Sequence, residues 1–508
     1  MRIPIATAVY LITLTFTQIH TQNVICDFEN IGNDYICTII AANISSDTTQ
    51  LEFLSQHLEG RNDSHVTIVR TNSSFVGRIR IYHPQFTQQF PNLQVIDLQR
   101  LRILDFSNNS FEKCDELRKV ILHFNEINFL QDNLFSKCEK LTELIISNNH
   151  IHNLTDASFD GLDNLEVLNL NYNLLQALSD NVFRFNRKLK ELHLGNPWNL
   201  YQHNKRMFEF LRDLEVVDLS DWHIDYSETA ALLNGLTKLK EIILHKNYYE
   251  YFNMSFFSQF ENLTILDLND NKLGDLIDNS LQNLTNLKAF YIQGNYLEIL
   301  TENTFTGLDN LEILWLGYNS ISSIPSNTFD RLNNLKELSL VFNKIAILPH
   351  GIFENLQNLR SLHLGVNIIT DLPSGIFKSL VNLESINIYN NKIETLNSNS
   401  FGRHEKLVNF TSSWNKIDEI ERKFFDNFPN LELLVINENI CVDTIIDDFQ
   451  NTNISSVFGK CFDNFEYQDT TTISTEVPTT TDGKGNGRII GFSVLLNISL
   501  MTVIFMMQ

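Results

Sequence analysis

One asparagine and one phenylalanine recur through this chain of 508 residues at a spacing of 24. In "LEILWLGYN", residues 311–319, the asparagine is Asn319, and Phe329 follows ten residues later. Self-similarity at a fixed period is the signature of a solenoid, in which each repeat forms one coil and stacks on the next. The asparagine recurs at positions 125, 149, 173, 247, 271, 295, 319, 343, 367, 391, 415 and 439, and the phenylalanine at 111, 135, 159, 183, 257, 305, 329, 353, 377, 401, 425 and 449.

The spacing within one repeat predicts a short strand followed by a turn. Leu311, Leu314 and Leu316 face inward, and Trp315 faces outward, because successive side chains of a strand alternate between its two faces. Asn319 stands where the chain leaves the strand. Its amide can bond backbone groups of its own turn and of the neighbouring turn, which stacking would otherwise bury without partners.

Later copies carry a fuller motif, in which Pro325, Pro349 and Pro373 follow the asparagine by six residues. The pattern resembles the leucine-rich repeat family in its extracellular form, and it is similar to arthropod cell-surface proteins such as chaoptin and connectin and to a Toll ectodomain. The resemblance implies an α/β solenoid, a leucine-rich repeat horseshoe with a concave parallel β-sheet and disulfide-bonded N- and C-terminal caps.

The array departs from its pattern at three turns. Leu101 replaces the asparagine in the first clear copy, and Pro197 and Trp222 replace it further on, where the spacing stretches to 25. We expect these turns to lose the asparagine bonds. Local drift on a tolerant convex side is the favoured interpretation, and a hinge or a change of curvature within 195–250 is the alternative.

Both ends of the chain point to the secretory pathway. "MRIPIATAVYLITLTF" has the charged start and short apolar run of a signal peptide. A threonine-rich stretch precedes a hydrophobic tail, which favours a GPI-attachment signal over a single-pass transmembrane helix. The predicted organisation is 1–22 signal peptide, 23–90 N-terminal cap and degenerate repeats, 91–440 leucine-rich repeats, 441–466 C-terminal cap, 467–488 stalk and 489–508 tail.

Six cysteines agree with an oxidising compartment. Cys114 and Cys138 occupy the same place in successive copies, and stacked strands about 4.8 Å apart bring such residues within bonding range. Cys26 and Cys37 precede the repeats, and Cys441 and Cys461 follow the last asparagine. Of the 15 possible connectivities, the architecture selects 26–37, 114–138 and 441–461.

N-glycosylation sequons are dense, as in a secreted glycoprotein. Asn409 is the unusual one, because "LVNFTS" places it on a strand and facing out of the concave sheet. The sequon asparagines are Asn43, Asn62, Asn72, Asn108, Asn153, Asn253, Asn262, Asn283, Asn409 and Asn453.

Charge and motifs argue against several function classes. With 38 Lys and Arg residues against 61 acidic ones, the net charge of −23 does not suit nucleic acid. The sequence shows no nucleophile–base set, phosphate loop, calcium loop or metal-ligand spacing. We therefore predict a non-enzymatic protein with no catalytic residue, cofactor or metal.

Outward strand positions divide into two parts. Earlier strands place mostly acidic and polar residues there, namely Glu143, Asn169, Glu191, Asp218, Glu241, Asp267 and Asp270. From position 287 onward the outward residues include large aromatics, and such residues amid polar ones are typical of binding hot spots. The predicted ligand-binding face consists of Tyr291, Trp315, Tyr318, Phe342, His363, Tyr389 and Trp414.

These observations favour a cell-surface protein that binds a protein ligand through its concave face, in adhesion or recognition, with homophilic binding as one option. The expected location is the extracellular side of the plasma membrane, with attachment through the C-terminal anchor. The alternatives are an innate-immune receptor or co-receptor without its own signalling domain, and a shed matrix organiser.

Overall fold

The computed structural model describes residues 23–44, 51–53, 56–107, 109–197, 200–201 and 203–471. The predicted signal peptide, most of the predicted stalk, the hydrophobic tail and Asn108 lie outside the described residues.

The secondary structure consists mainly of very short strands, one or two to a repeat. In chain order they are β1 (Asn23–Ile31), β2 (Asp34–Ile44), β3 (Glu52–Phe53), β4 (Val66–Ile79), β5 (Ile81–Tyr82), β6 (Val95–Asp97), β7 (Asp105–Phe106), β8 (Lys119–Ile121), β9 (Glu143–Ile145), β10 (Asn153–Leu154), β11 (Val167–Asn169), β12 (Ala177–Leu178), β13 (Glu191–His193), β14 (Val216–Asp218), β15 (Glu241–Ile243), β16 (Ile265–Asp267), β17 (Ala289–Tyr291), β18 (Ile313–Trp315), β19 (Glu337–Ser339), β20 (Ser361–His363), β21 (Ser385–Asn387), β22 (Thr395–Leu396), β23 (Asn409–Thr411), β24 (Glu419–Ile420), β25 (Leu433–Val435) and β26 (Ile445–Ile446).

Helices are few in the described part of the chain. The α-helices are α1 (Gln85–Gln89), α2 (Tyr226–Leu232) and α3 (Ile454–Thr471), and 3-10 turns cover Asp63–His65, Met254–Gln259, Ser398–Ser400, Phe424–Asn427 and Phe449–Asn451.

One parallel sheet runs through the repeats, with one strand from each coil. It passes from β4 through β6, β8, β9 and β11, continues through β13 to β21, and ends with β23 and β25. The pairs β5–β7, β10–β12 and β22–β24 form small separate sheets on the outer part of the coils. This architecture confirms the predicted leucine-rich repeat solenoid.

The core is one continuous apolar stack. Leu311, Leu314 and Leu316 are fully buried, as the alternation of strand side chains predicts. Phe329 is buried as well, and its ring stacks on Phe305 of the preceding repeat with ring centroids 5.9 Å apart. A single coil leaves this apolar edge in water, so the hydrophobic stabilisation comes from stacking.

The buried asparagines connect adjacent coils. Asn319 Oδ1 accepts a hydrogen bond from the backbone N–H of Leu297 at 3.0 Å, and its Nδ2 donates to the carbonyls of Ile292 and Leu316 at 3.0 and 3.1 Å. The same pattern of bonds recurs at Asn343. These bonds satisfy backbone groups that would otherwise be orphaned inside the solenoid.

Trp222 corrects one expectation about this ladder. Its indole is 2% exposed, and Nε1 donates to the carbonyl of Leu194 at 2.8 Å. Asn247, in the next coil, makes the corresponding bond to the carbonyl of Leu219. The predicted loss of the asparagine bonds is therefore only partial, because the indole N–H replaces the donor half of the amide but offers no acceptor.

The longer repeats do not interrupt the sheet. Glu191 pairs with Val216, and Val216 pairs with Glu241, in the same register as the regular coils. The extra residue falls on the outer side, where α2 is capped by Asp225, whose side chain accepts from the backbone N–H of Glu228. This unbroken register agrees with local drift on the outer side of the coils.

The structure contains a second asparagine ladder that was not predicted from the sequence. In the "NL" that precedes many strands, the asparagine donates from Nδ2 to a carbonyl of the preceding repeat, as Asn334 does to Asp309 at 2.9 Å. Asn310, Asn358 and Asn382 do the same at 2.8 Å. These side chains are exposed, so they connect the coils at the surface.

Both ends of the solenoid are closed by disulfide-bonded caps, as predicted. Strands β1 and β2 form an antiparallel hairpin joined by Cys26–Cys37. At the other end β26 pairs antiparallel with β25, and Cys441–Cys461 fixes α3. The third disulfide joins Cys114 to Cys138 in adjacent coils.

Helix α3 extends to Thr471, beyond the predicted end of the cap. Within the described part of the chain, no helix combines the length and apolarity that crossing a bilayer requires.

Candidate functional site

Each strand of the parallel sheet turns two side chains away from the core, and the register aligns them into two rows. The first row contains the first residue of each strand, and the second row contains the third. Across β17, β18 and β19 the first row is Ala289, Ile313 and Glu337, and the second is Tyr291, Trp315 and Ser339.

Tyr291 and Trp315 are neighbours in the second row, and their rings meet edge to face with centroids 4.8 Å apart. Trp315 Nε1 donates to Glu337 Oε1 at 2.7 Å. Burial and the nearby carboxylates of Glu337, Asp267 and Glu241 raise the pKa of Tyr291. The predicted aromatic pair therefore stands among carboxylates, although the sequence pattern had placed the acidic residues in a separate half of the face.

The residue directly before each repeating asparagine, or before the Leu101, Pro197 or Trp222 that replaces it, forms a third row, which we call the corner row. From Arg100 to Glu438 every member has a positive φ, because the chain turns sharply out of the strand there. Gly, Asn and Asp adopt this left-handed conformation with least strain, whereas a bulky residue costs roughly 1–2 kcal/mol. The row nevertheless contains Tyr318, Phe342 and Val366, each at a φ of 53°.

The corner-row aromatics form a cluster with Tyr389, which follows the end of strand β21 by two residues. Tyr318 and Phe342 stack with ring centroids 4.2 Å apart and an interplanar angle of 10°. The ring of Tyr389 lies against Gly365, where an added Cβ would be 2.2 Å from ring carbons. Burial and the nearby Tyr318 phenol raise the pKa of Tyr389.

Val366 follows Phe342 in the corner row and was not predicted from the sequence. The signal was present, since a β-branched residue directly before the ladder asparagine is unusual at a left-handed corner. We call the combined set the aromatic surface: Tyr291, Trp315, Tyr318, Glu337, Phe342, Val366 and Tyr389.

Two residues of the predicted ligand-binding face, His363 and Trp414, lie outside the aromatic surface. His363 is half-buried in the second row, with Nε2 3.0 Å from Ser361 Oγ, and burial lowers its pKa. Trp414 is 58% exposed in the corner row and makes no ring contact with the other six among the residues that the structure describes. His363 therefore presents little side chain, and Trp414 stands apart from the cluster.

The predicted acidic part of the face needs one correction. Asp218 is only 6% exposed, and Oδ1 accepts from the N–H and the hydroxyl of Ser220 at 3.0 and 2.7 Å. Its Oδ2 accepts from Asn171 Nδ2 at 2.6 Å. It was predicted to face outward, but these hydrogen bonds hold its carboxylate within the sheet surface.

Positive charge is missing from the two strand rows after β8, whereas Lys119 in β8 and Arg70 in β4 stand before this stretch. From β9 to β25 they contain carboxylates, histidines and neutral residues, with neither Lys nor Arg. The cations stand instead at the edge just before the strands, where they pair with acidic neighbours, as Lys190 does with Glu166 at 2.8 Å and Lys336 with Glu312 at 2.6 Å. The concave face is therefore acidic.

The sequons are spread over much of the chain but avoid this region. Nine of the predicted asparagines are described, and Asn409 lies in the first row of β23, as its pattern indicated. Between Asn283 and Asn409 no sequon occurs in 125 residues. Each member of the aromatic surface falls within this stretch.

No group of three potential metal ligands is found among the described residues.

Comparisons with known families agree with the repeat geometry. The profile "Leucine rich repeat" matches residues 91–151, 139–200, 237–297 and 285–345, and "BspA type Leucine rich repeat region (6 copies)" matches residues 322–455. Together these matches span 91–200 and 237–455, which is more than half of the chain. The chain belongs to the leucine-rich repeat family.

Solved leucine-rich repeat structures share the fold. A leucine-rich repeat protein of Leptospira interrogans has a TM-score of 0.59 and 26% identity, covering 73% of this chain and 90% of that one. Toll, in the Toll–Spatzle complex of Drosophila, has a TM-score of 0.57 and 18% identity over 82% and 69% of the two chains. A TDR receptor has a TM-score of 0.54 and 22% identity over 70% and 66%. Among curated proteins, none matches this leucine-rich repeat chain.

Proposed function

We propose that this leucine-rich repeat protein binds a protein ligand through the aromatic surface and acts in cell adhesion or cell recognition. The observation that carries the proposal is the stacked pair of corner-row aromatics, Tyr318 and Phe342, whose ring centroids lie 4.2 Å apart. Tyr318, Phe342 and Val366 occupy left-handed positions that Asn or Gly would fill with less strain. Tyr172 shares this backbone conformation, so strain alone does not mark the site, and what distinguishes Tyr318 and Phe342 is that their rings meet in adjacent coils.

The surroundings support a protein ligand. Large aromatics that are partly exposed and flanked by polar residues are enriched at interface hot spots. The extracellular location, the signal peptide and the C-terminal anchor remain part of this proposal. Toll, which shares the fold, is seen in complex with a protein, Spatzle.

A double variant tests the proposal. Cells displaying the full chain should adhere to cells of the same organism that carry the ligand, and Trp315→Ala with Tyr318→Ala should abolish adhesion at equal surface expression. Removing two hot-spot aromatics typically costs about 2 kcal/mol each, which is roughly a thirtyfold loss of affinity per residue. Adhesion would be scored as the fraction of labelled cells in aggregates.

Tyr172→Ala provides a matched control. Tyr172 occupies the same corner-row position as Tyr318, with exposures of 54% and 53%. It lies outside the aromatic surface, so its loss should leave adhesion unchanged. Equal adhesion by the wild type and the double variant would refute the proposed surface.

A further inference from the structure

We propose that the aromatic surface recognises an arginine-bearing segment of its protein partner, with one guanidinium placed against Trp315 and Glu337. This inference rests on the proposed function and adds the chemistry of the ligand to it. The occupant is a basic, extended segment and not a second copy of this chain.

Glu337 is positioned to accept a cation. Its Oε1 is held by Trp315 Nε1 at 2.7 Å, while Oε2 has no hydrogen-bond or ion-pair partner among the described residues. A guanidinium can donate to a carboxylate while its plane lies on an aromatic ring, and both interactions strengthen when water is excluded. A lysine ammonium satisfies the charge but lacks the planar fork.

Two further carboxylates on the same sheet favour additional cationic residues in the ligand. Asp267 in β16 and Glu241 in β15 lie three and four coils before Glu337 in β19. At about 4.8 Å per coil, these carboxylates stand roughly 14–19 Å from Glu337, a distance that an extended segment covers in about four to six residues. A ligand with arginines at that spacing would meet two carboxylates at once.

His245 lies beside Asp267, the nearer of these two carboxylates to Glu337. Its Nδ1 lies 3.5 Å from Asp267 Oδ2. Burial opposes its protonation, but the carboxylates of Asp267 and Asp218 outweigh burial and raise its pKa. Asp267 thus already has His245 as a partner, whereas Glu337 Oε2 has no hydrogen-bond or ion-pair partner among the described residues, so Glu337 is the stronger anchor for a cation.

The charge distribution argues against a second copy as the occupant. Neither strand row contains Lys or Arg from β9 to β25, so two copies meeting through these faces would oppose carboxylates to carboxylates. Along the edge before these strands, cations pair within the chain, as Lys240 does with Glu215 at 2.7 Å and Lys288 with Glu312 at 3.8 Å. Like charges placed together in this way suppress an interface.

Peptide probes can test the charge directly. The full chain, displayed on cells, would be titrated with a fluorescent glycine–serine peptide carrying several arginines, and with the same peptide carrying citrulline. We expect the arginine peptide to bind more tightly by at least about tenfold, and Glu337→Gln to remove most of this preference. Trp315→Phe, which keeps the ring but loses Nε1–H, should lie between wild type and Glu337→Gln.

Glu143→Gln is the control, because Glu143 stands in the same row far along the sheet in β9, where its carboxylate is already paired with Lys119 of β8. It should bind the arginine peptide like the wild type, and thermal unfolding should show each variant folded. Equal binding of the arginine and citrulline peptides, or an unaffected Glu337→Gln, would overturn the inference. So would self-association of the chain that Trp315→Ala with Tyr318→Ala abolishes. The adhesion assay tests the proposed function separately, because it does not use the arginine peptide.

Discussion

At the scale of single residues, one buried position where the repeat pattern predicts leucine is occupied by a polar side chain. Leu308, Leu332, Leu356 and Leu380 occupy one core column, and His404 continues it, fully buried. Its Nδ1 bonds to the carbonyl of Leu380 at 3.1 Å, but its Nε2 has no hydrogen-bond partner in the described structure. A buried polar nitrogen without a partner is costly.

His404→Leu should therefore stabilise the protein. The carbonyl of Leu380 keeps the backbone bond from Leu383 N–H, so the substitution removes an orphaned nitrogen and costs only one hydrogen bond. We expect a net gain of about 1 kcal/mol at neutral pH. Thermal unfolding of the two proteins measures it, and a lower midpoint for the variant would contradict this account.

The same residue makes stability depend on pH. Burial lowers the pKa of folded His404, while an unfolded histidine titrates near pH ~6.5. Between these two values the unfolded state binds more protons, so stability falls as the pH drops below about 6.5. The advantage of His404→Leu in the unfolding midpoint should grow on acidification from about pH 7.5 to pH 5, and a constant difference would show that His404 does not titrate on unfolding.

The sequence predicted the positions that the repeat spacing fixes, but not the contacts of particular side chains. The period located Asn319 and the inward leucines, because each role is fixed by spacing alone. The bond from Trp222 to Leu194 and the burial of Asp218 depend on how a particular side chain fits its neighbours, which a period does not encode. Val366 could have been recognised from its place before the ladder asparagine.

At the scale of elements, the two asparagine ladders differ in burial and should differ in energy. Asn343 is buried, and its Oδ1 accepts from Ile321 N–H while its Nδ2 donates to the carbonyls of Leu316 and Leu340. Asn334 is exposed and makes one bond, to the carbonyl of Asp309. Water can replace the partner of the second asparagine but not those of the first.

Asn343→Ala should lower the free energy of unfolding by about 2–4 kcal/mol, since it orphans a buried N–H and removes several bonds. Asn334→Ala, in the same repeat, should cost roughly 0.5–1 kcal/mol. Urea unfolding of both variants beside the wild type gives the comparison. Equal losses would mean that burial does not govern the strength of these ladders.

At the scale of the whole molecule, the period alone predicted the solenoid and the order of its strands. The cysteines that flank the repeats at both ends, together with the family resemblance, placed the caps. The aromatic surface was predicted less completely. Rows on the sheet follow from the register, whereas the contact of Tyr389 with Gly365 and the bond from Trp315 to Glu337 cross between coils and depend on side-chain conformation.

The distribution of sequons leads to a prediction for the whole molecule. A glycan on the concave sheet within the 125-residue gap should block the ligand, because an attached sugar is bulky and solvated. Ser385→Asn with Asn387→Thr copies the native Asn409–Thr411 pattern onto the adjacent strand β21. Arg360→Thr creates a control sequon at Asn358, an exposed member of the outer ladder. Mass analysis would verify that both sites are occupied. The glycan on β21 should then abolish adhesion, and the edge glycan should preserve it. Normal adhesion with both glycans would show that the binding surface lies elsewhere on the molecule.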